Sequence, residues 1–255
     1  MHVTGISGLP EFESNDDIAA LVEREATVRE GDVLVVASTI VSKVEGRTAD
    51  CAAFPASERA ERIAGALADA TGEERDPRFV QAVIEESEEL LLETPFVLAV
   101  TPFGHVTVNA GIDRSNVPDA DLLLLPLDPS ASAARIRERL SVDASVVVTD
   151  TSGRPFRHGQ RGVALGWAGM PANRDWRGEH DREGRELGAT VQSVVDELAA
   201  AGNLVTGEGD GGRPVALVRD FAFGDHAGDD TLFRAPEDDV IRDALLAYSR
   251  DRKKS

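Results

Sequence analysis

Two stretches of this 255-residue chain gather carboxylates, hydroxyls, amides and arginines within a few positions. One is Asn109-Ala110-Gly111-Ile112-Asp113-Arg114-Ser115-Asn116, where a glycine permits a sharp turn. The other is Asp150-Thr151-Ser152-Gly153-Arg154-Pro155-Phe156-Arg157-His158-Gly159-Gln160. A carboxylate followed directly by a hydroxyl offers oxygen ligands to a hard cation such as Mg²⁺ or Mn²⁺. Arg154 and Arg157 could bind phosphate oxygens or stabilise charge developing on a transferred phosphoryl group. A third candidate stands alone: of 27 basic residues only Lys43, Lys253 and Lys254 are lysine. Lys43 is the one away from the C-terminal tail, and a compact ammonium is what a phosphate site often uses where arginine's planar fork would not serve. A plainer alternative stays open, in which Asp113 and Asp150 cap turns, the arginines pair with surface acids and Lys43 survives by chance.

Other chemistries find less support. No Gly-x-x-x-x-Gly-Lys-Ser/Thr loop is present, since residues 207–213 have glycines without a lysine and Lys43 has no glycine-rich turn before it. The single cysteine, Cys51, has a bland Asp50-Cys51-Ala52-Ala53 context, and the five histidines lack zinc-ligand spacing.

The elements that must position these loops alternate between short β-branched runs and alanine- and arginine-rich stretches of helical period, which argues for mixed α and β structure. Residues 32–37 and 144–149 read as buried strands because neither alternates polar with apolar. Residues 96–100 and 105–109 read as a hairpin, and residues 214–218 as a further strand. Helices are expected at 16–25, 56–70, 77–90, 129–140, 186–201 and 236–248, with Ser57 and Asp128 as N-terminal caps. Residues 207–212 and 224–230 read as loops.

Composition sets outer bounds. With 46 acidic residues against 27 basic, a net charge of −19 argues against nucleic acid or an anionic membrane as partner. Acidity with arginine in place of lysine resembles proteins of a high-salt cytoplasm, where screening over about 3 Å at molar salt tolerates self-repulsion. A lone cysteine, no apolar run long enough for a bilayer and no basic-then-apolar leader point to a cytoplasmic protein.

Taken in order, Gly8-Leu9-Pro10-Glu11-Phe12, then residues 31–36 leading into Ser38-Thr39 and Ser42-Lys43, then residues 109–116, then Asp150-Thr151-Ser152-Gly153-Arg154-Pro155 resemble the coenzyme F420:L-glutamate ligase family over about residues 6–219. That family extends an 8-hydroxy-5-deazaflavin cofactor with glutamate. The resemblance implies an α+β fold with mixed sheets and packed helices, an unusual ligase fold forming an intertwined homodimer. It implies a ligase unit over residues 1–220, as one domain or two interleaved subdomains, with residues 221–255 as a C-terminal extension. It implies GTP contacts at Leu9, Pro10, Glu11, Phe12, Ser38, Thr39, Lys43 and Asn116, and along the late loop Thr206, Gly207, Glu208, Gly209, Asp210, Gly211, Gly212 and Arg213. Two divalent ions, Mg²⁺ or Mn²⁺, would be held by Asp113, Asp150, Thr151 and Glu208, with K⁺ as a further ion.

The reaction so implied passes the γ-phosphate of GTP to the carboxylate of coenzyme F420-0, and the amine of L-glutamate then attacks the acyl phosphate. The product F420-1 would accept a second, γ-linked glutamate to give F420-2. Such a transfer needs positioning and neutralisation more than protein nucleophiles. Two other readings of the residues remain: a metal-dependent phosphohydrolase using Asp113 and Asp150, and a halophilic binding protein without turnover.

Overall fold

The computed structural model describes residues 1–114 and 120–252, and among them the fold is α+β, with seven α-helices and four sheets. The chain begins with β1 (His2–Gly5), α1 (Ile18–Glu25), β2 (Val33–Ala37) and α2 (Ser38–Val44). There follow β3 (Thr48–Ala49), α3 (Glu58–Thr71), α4 (Pro77–Glu85), β4 (Glu89–Leu92), β5 (Leu98–Val100), β6 (Val106–Val108) and β7 (Leu122–Leu123). Next come α5 (Pro129–Arg139), β8 (Ser145–Ser152), β9 (Arg161–Ala168), β10 (Asn173–Asp175), β11 (Val191–Ser193), α6 (Val194–Thr206), β12 (Val215–Arg219), β13 (Ala227–Asp229) and α7 (Val240–Arg252). The chain divides into two compact units, each discontinuous in sequence: Met1–Gly46 with Asp128–Leu232, and Arg47–Leu127 with Phe233–Ser255. No helix among the described residues is long and apolar enough to cross a membrane.

The first unit is built on a five-stranded sheet in the order β1-β12-β2-β8-β9, in which only β2 and β8 run parallel. Alternate residues of the central strands enter two separate cores. Leu34, Val36, Val146 and Val148 pack with Val22 of α1, Val41 of α2 and Ile136 of α5, whereas Val33, Val35, Val147 and Val218 pack with Val195 and Leu198 of α6. A sheet covered by helices on both faces has no solvent side, so β2 and β8 are continuous apolar runs. Burial of each such valine or leucine contributes about 1.5–3 kcal/mol.

The outer strand β9 carries a bulge. Gly166 lies opposite Val148 but Ala164 lies opposite Thr149, so Leu165 is the extra residue and the faces of β9 invert across it. Gly166 therefore meets the start of α5, and Gly162 meets α6. Asp128 caps α5 by accepting from the Ala131 N–H at 2.9 Å with Pro129 at its first turn, and Ser57 caps α3 through the Ala60 N–H at 3.2 Å, both as the sequence predicts.

Asp32, buried just before β2, ties the start of β2 to the end of its neighbour β12. It receives Nε and Nη2 of Arg219 at 3.1 and 2.8 Å and the Arg29 N–H at 2.8 Å. Burial pushes its carboxyl pKa up, but the Arg219 hydrogen bonds, the Arg29 N–H and the two guanidinium charges outweigh that and leave it below the ordinary carboxylate value. A depressed folded pKa gives stability that is present above the unfolded value, about 3.9, and is lost as the pH falls through the folded one. Asp32→Asn should therefore be less stable than the wild type at neutral pH and show a smaller loss of stability on acidification below about pH 4. Chemical denaturation at fixed salt across that range reads both effects, and an acid limb as steep as the wild type's would refute the assignment to Asp32.

In the second unit α3 and α4 pack on a core that includes Ile63, Leu67, Val80, Val83, Val97 and Leu122, beside the antiparallel meander β4-β5-β6. The helix expected over 77–90 stops at Glu85, because residues 89–92 pair with β5 instead. The hairpin of β5 and β6 is where it was expected, shortened at both ends. Three further expectations need correction. The helix expected at 186–201 is α6, displaced to Val194–Thr206 because residues 191–193 pair with β10; residues 227–229 of an expected loop form β13 on that same strand; and the C-terminal helix begins at Val240 rather than 236, after a short 3-10 turn at Pro236–Asp238.

Candidate active site

The parallel pairing of β2 with β8 places two functional segments side by side. Ala37, the last residue of β2, lies opposite Thr149, and β8 continues for three more residues while the other chain turns into α2. Asp150 and Thr151 thus belong to a strand, paired with Val163 and Gly162 of β9, and not to the loop in which the sequence reading set them. Consecutive strand residues point to opposite faces. Asp150 accepts the Ser38 hydroxyl at 3.3 Å on one face, and Thr151 donates to Glu208 Oε1 at 2.8 Å on the α6 face.

Glu208 reaches Thr151 because α6 ends in an abrupt turn. Gly207 has φ 73° and ψ −178°, a conformation open essentially to glycine alone, and the following carboxylate folds back over the helix end. Asn203, one turn earlier on α6, fixes it there by donating Nδ2 to the same Oε1 at 2.6 Å. Gly162 lets α6 come this close, since a Cβ there would stand 2.5 Å from the Ala199 carbonyl oxygen and 3.0 Å from Asn203 Cβ. Thr206 is the last residue of α6, and residues 207–213 are exposed, with Arg213 packed alongside Gly5. Asn203 escaped sequence reasoning, because a lone amide inside a helix carries no motif.

Lys43 lies in the last turn of α2, its side chain mostly buried at 16% exposure, and Nζ meets Glu11 Oε2 at 3.2 Å. The Glu11 side chain is 90% exposed, so this pair is weak and easily exchanged for an anionic ligand. Phe12 is buried and Leu9 packs against the same core, which anchors the segment while Pro10 and Glu11 face solvent. Five of the residues expected around GTP, Leu9 to Phe12 and Lys43, are therefore neighbours in the first unit, as are Ser38 and Thr39 at the head of α2.

Residues 153–160 form the exposed connection from β8 to β9, with Arg157 exposed and Arg154 half-buried. Phe156 is fully exposed. Neither arginine forms an ion pair among the described residues.

Asp113 belongs to the second unit. Asn109, Ala110 and Gly111 all have positive φ, 53°, 54° and 70°, so the turn expected from the glycine alone is a run of three left-handed residues. Strain of this kind costs on the order of 1–3 kcal/mol at a non-glycine residue and collects at functional sites. Beyond the turn, Asp113 is held by a two-way backbone bridge to Leu123. Asn116, expected at the nucleotide, lies outside the described residues.

No group of three or more His, Cys, Asp or Glu side chains that could hold an ion exists among the described residues. Instead the first unit offers two oxygen clusters on opposite faces of β8, Ser38 with Asp150, and Thr151 with Glu208 and Asn203. Such a donor set fits Mg²⁺ or Mn²⁺, which are commonly held by one or two carboxylates together with waters and the phosphates of a substrate.

A family model described as F420-0:Gamma-glutamyl ligase matches residues 7–220. Three relatives named coenzyme F420:L-glutamate ligase align over nearly their full lengths. The protein of Halorubrum lacusprofundi is 64% identical over 251 residues, 98% of this chain and 100% of its own. That of Natronomonas pharaonis is 64% identical over 251 residues, 98% of each chain, and that of Haloarcula marismortui is 62% identical over 256 residues, 99% of this chain and 100% of its own.

Proposed function

The chain belongs to the F420-0:gamma-glutamyl ligase family, and from that premise we propose that it joins L-glutamate to coenzyme F420-0 with GTP as phosphoryl donor. The observation that carries the phosphoryl-transfer reading is the convergence of Ser38 with Asp150, and of Thr151 with Glu208 and Asn203, at the ends of β2 and β8. In open sheets with parallel strands, ligands commonly bind beyond the carboxyl ends of those strands.

The γ-phosphoryl group is transferred to a carboxylate oxygen of F420-0, with GDP leaving. The amine of glutamate attacks the resulting acyl carbon, phosphate departs and the amine's proton passes to solvent or base. Repetition on the γ-carboxylate gives the γ-linked F420-2. Lys43 meets phosphate oxygens, the segment Leu9 to Phe12, Thr39, Asn116 and residues 206–213 enclose the nucleotide, and Arg154 and Arg157 stabilise charge on the phosphoryl group in flight. Asp150, Thr151 and Glu208 are proposed as holders of divalent ions, and the family resemblance implies the same role for Asp113; two carboxylates on opposite faces of β8 support two ions over one. Bound there, such ions neutralise phosphate charge. The proposal includes K⁺ as a monovalent ion, the homodimer that the family resemblance implies and a high-salt cytoplasm, the last supported by the net charge of −19.

Coupling tests this function. Sustained release of GDP should require both glutamate and F420-0, F420-0 alone giving at most one GDP per site; phosphate release from GTP alone at the same rate would convert the reading into a phosphohydrolase. Lys43→Arg tests the nucleotide site, because charge is kept while the compact ammonium is lost. Its dissociation constant for GTP should rise about tenfold by equilibrium titration, equivalent to ~1.4 kcal/mol, and an unchanged constant would remove Lys43 from the phosphates.

A further inference from the structure

The connection between β8 and β9 carries an aromatic ring that the fold does not use. Phe156 is 101% exposed and its φ is +64°, in the left-handed region that a bulky residue seldom adopts. Hairpin geometry alone would favour glycine or asparagine at such a φ. Arg154, Arg157 and Arg161 flank the ring in sequence, and none of the three forms an ion pair among the described residues although acids outnumber bases 46 to 27. An exposed ring among cations that lack carboxylate partners suits a ligand that is aromatic at one end and anionic at the other.

Both GTP and a deazaflavin acid answer that description, and the strand order separates them. Leu9 to Phe12, Thr39 and Lys43, proposed for the nucleotide, follow β1 and β2 on one side of β8 in the sheet, whereas Phe156 follows β8 and leads into the outermost strand β9 on its other side. We propose that Phe156 stacks on the ring system of the deazaflavin substrate, so that its carboxylate is presented toward Arg154, Arg157 and the end of β8. The proposal rests on the ligase reading and adds a substrate-positioning residue to it.

Phe156→Ala, Phe156→Gly and Phe156→Trp, assayed as the full chain at constant high salt, test the ring apart from the backbone. Alanine and glycine should both raise the KM for F420-0 about tenfold, the scale of lost aromatic stacking, with kcat at saturating F420-0 and the KM for GTP within about twofold of wild type. Tryptophan should restore the KM to within about threefold. Glycine relieves the positive φ, so its loss of affinity cannot come from backbone strain. An unchanged KM for F420-0 in the alanine and glycine variants would overturn the proposal, as would a rise in the KM for GTP instead, or a change of oligomeric mass that accounts for the loss. A wild-type chain that adds no glutamate would instead defeat the ligase reading on which the proposal stands.

Discussion

Asp150→Asn should lower the rate of glutamate addition by on the order of 10²–10³-fold, the range seen when one charge-stabilising group is removed from a phosphoryl or acyl transfer site. The amide keeps the shape of the carboxylate and its oxygen can still accept the Ser38 hydroxyl, a 3.3 Å contact. Asp150 lies on a strand whose ladder hydrogen bonds to β9 involve only backbone, so the fold should survive. What disappears is a negative oxygen ligand at the end of β8. If that charge holds an ion against the phosphates, the variant should bind GTP more weakly in the presence of Mn²⁺ than the wild type and equally in its absence. Full activity in Asp150→Asn would remove this residue from the reacting site.

A methyl group at either glycine of β9 should cost roughly 3 kcal/mol of stability, at the upper end of what overpacking usually costs. At Gly166 the new Cβ would lie 2.3 Å from both the Pro129 carbonyl carbon and the Ser130 nitrogen, and at Gly162 it would lie 2.5 Å from the Ala199 oxygen. Each contact is with backbone, which cannot swing aside as a side chain can. Gly166→Ala should push α5 away and leave the site chemistry nearly intact in whatever protein stays folded. Gly162→Ala should also displace α6 from Thr151, and with it Asn203 and Glu208, so it should lose activity beyond its loss of folded protein. Denaturation midpoints measured beside specific activity at saturating substrates separate the two, and equal midpoints for wild type and Gly166→Ala would contradict the close packing described for β9.

Much of the frame was legible in the chain. β2, β8 and β12 announce themselves as apolar runs because helices cover both sheet faces, and Asp128-Pro129 and Ser57 mark helix starts through their capping chemistry. What stayed hidden has definite causes. The head of α2, Ser38-Thr39-Ile40-Val41-Ser42, is rich in β-branched residues and polar hydroxyls and reads as a loop after β2, yet it is helical because its buried residues pack on the α1 and α5 side of the sheet. β9 was missed because its two clamp glycines and its bulge interrupt any strand pattern.

The site was legible in residue type more than in geometry. Asp150 and Thr151 were found as adjacent oxygen donors, but only the strand assignment separates them onto opposite faces, one with Ser38 and the other with Glu208. Asn203 needed the three-dimensional turn at Gly207 to become meaningful. The family match over residues 7–220 bears out the family to which the ordered loop motifs point.

The central claim is glutamate addition, and mass spectrometry of F420-0 incubated with the chain, GTP, Mn²⁺ and L-glutamate at high salt tests it most directly. The predicted result is a product heavier by one glutamyl residue, followed by a second addition, with neither formed when GTP is omitted. Folded protein that leaves the mass of F420-0 unchanged under these conditions would contradict the account.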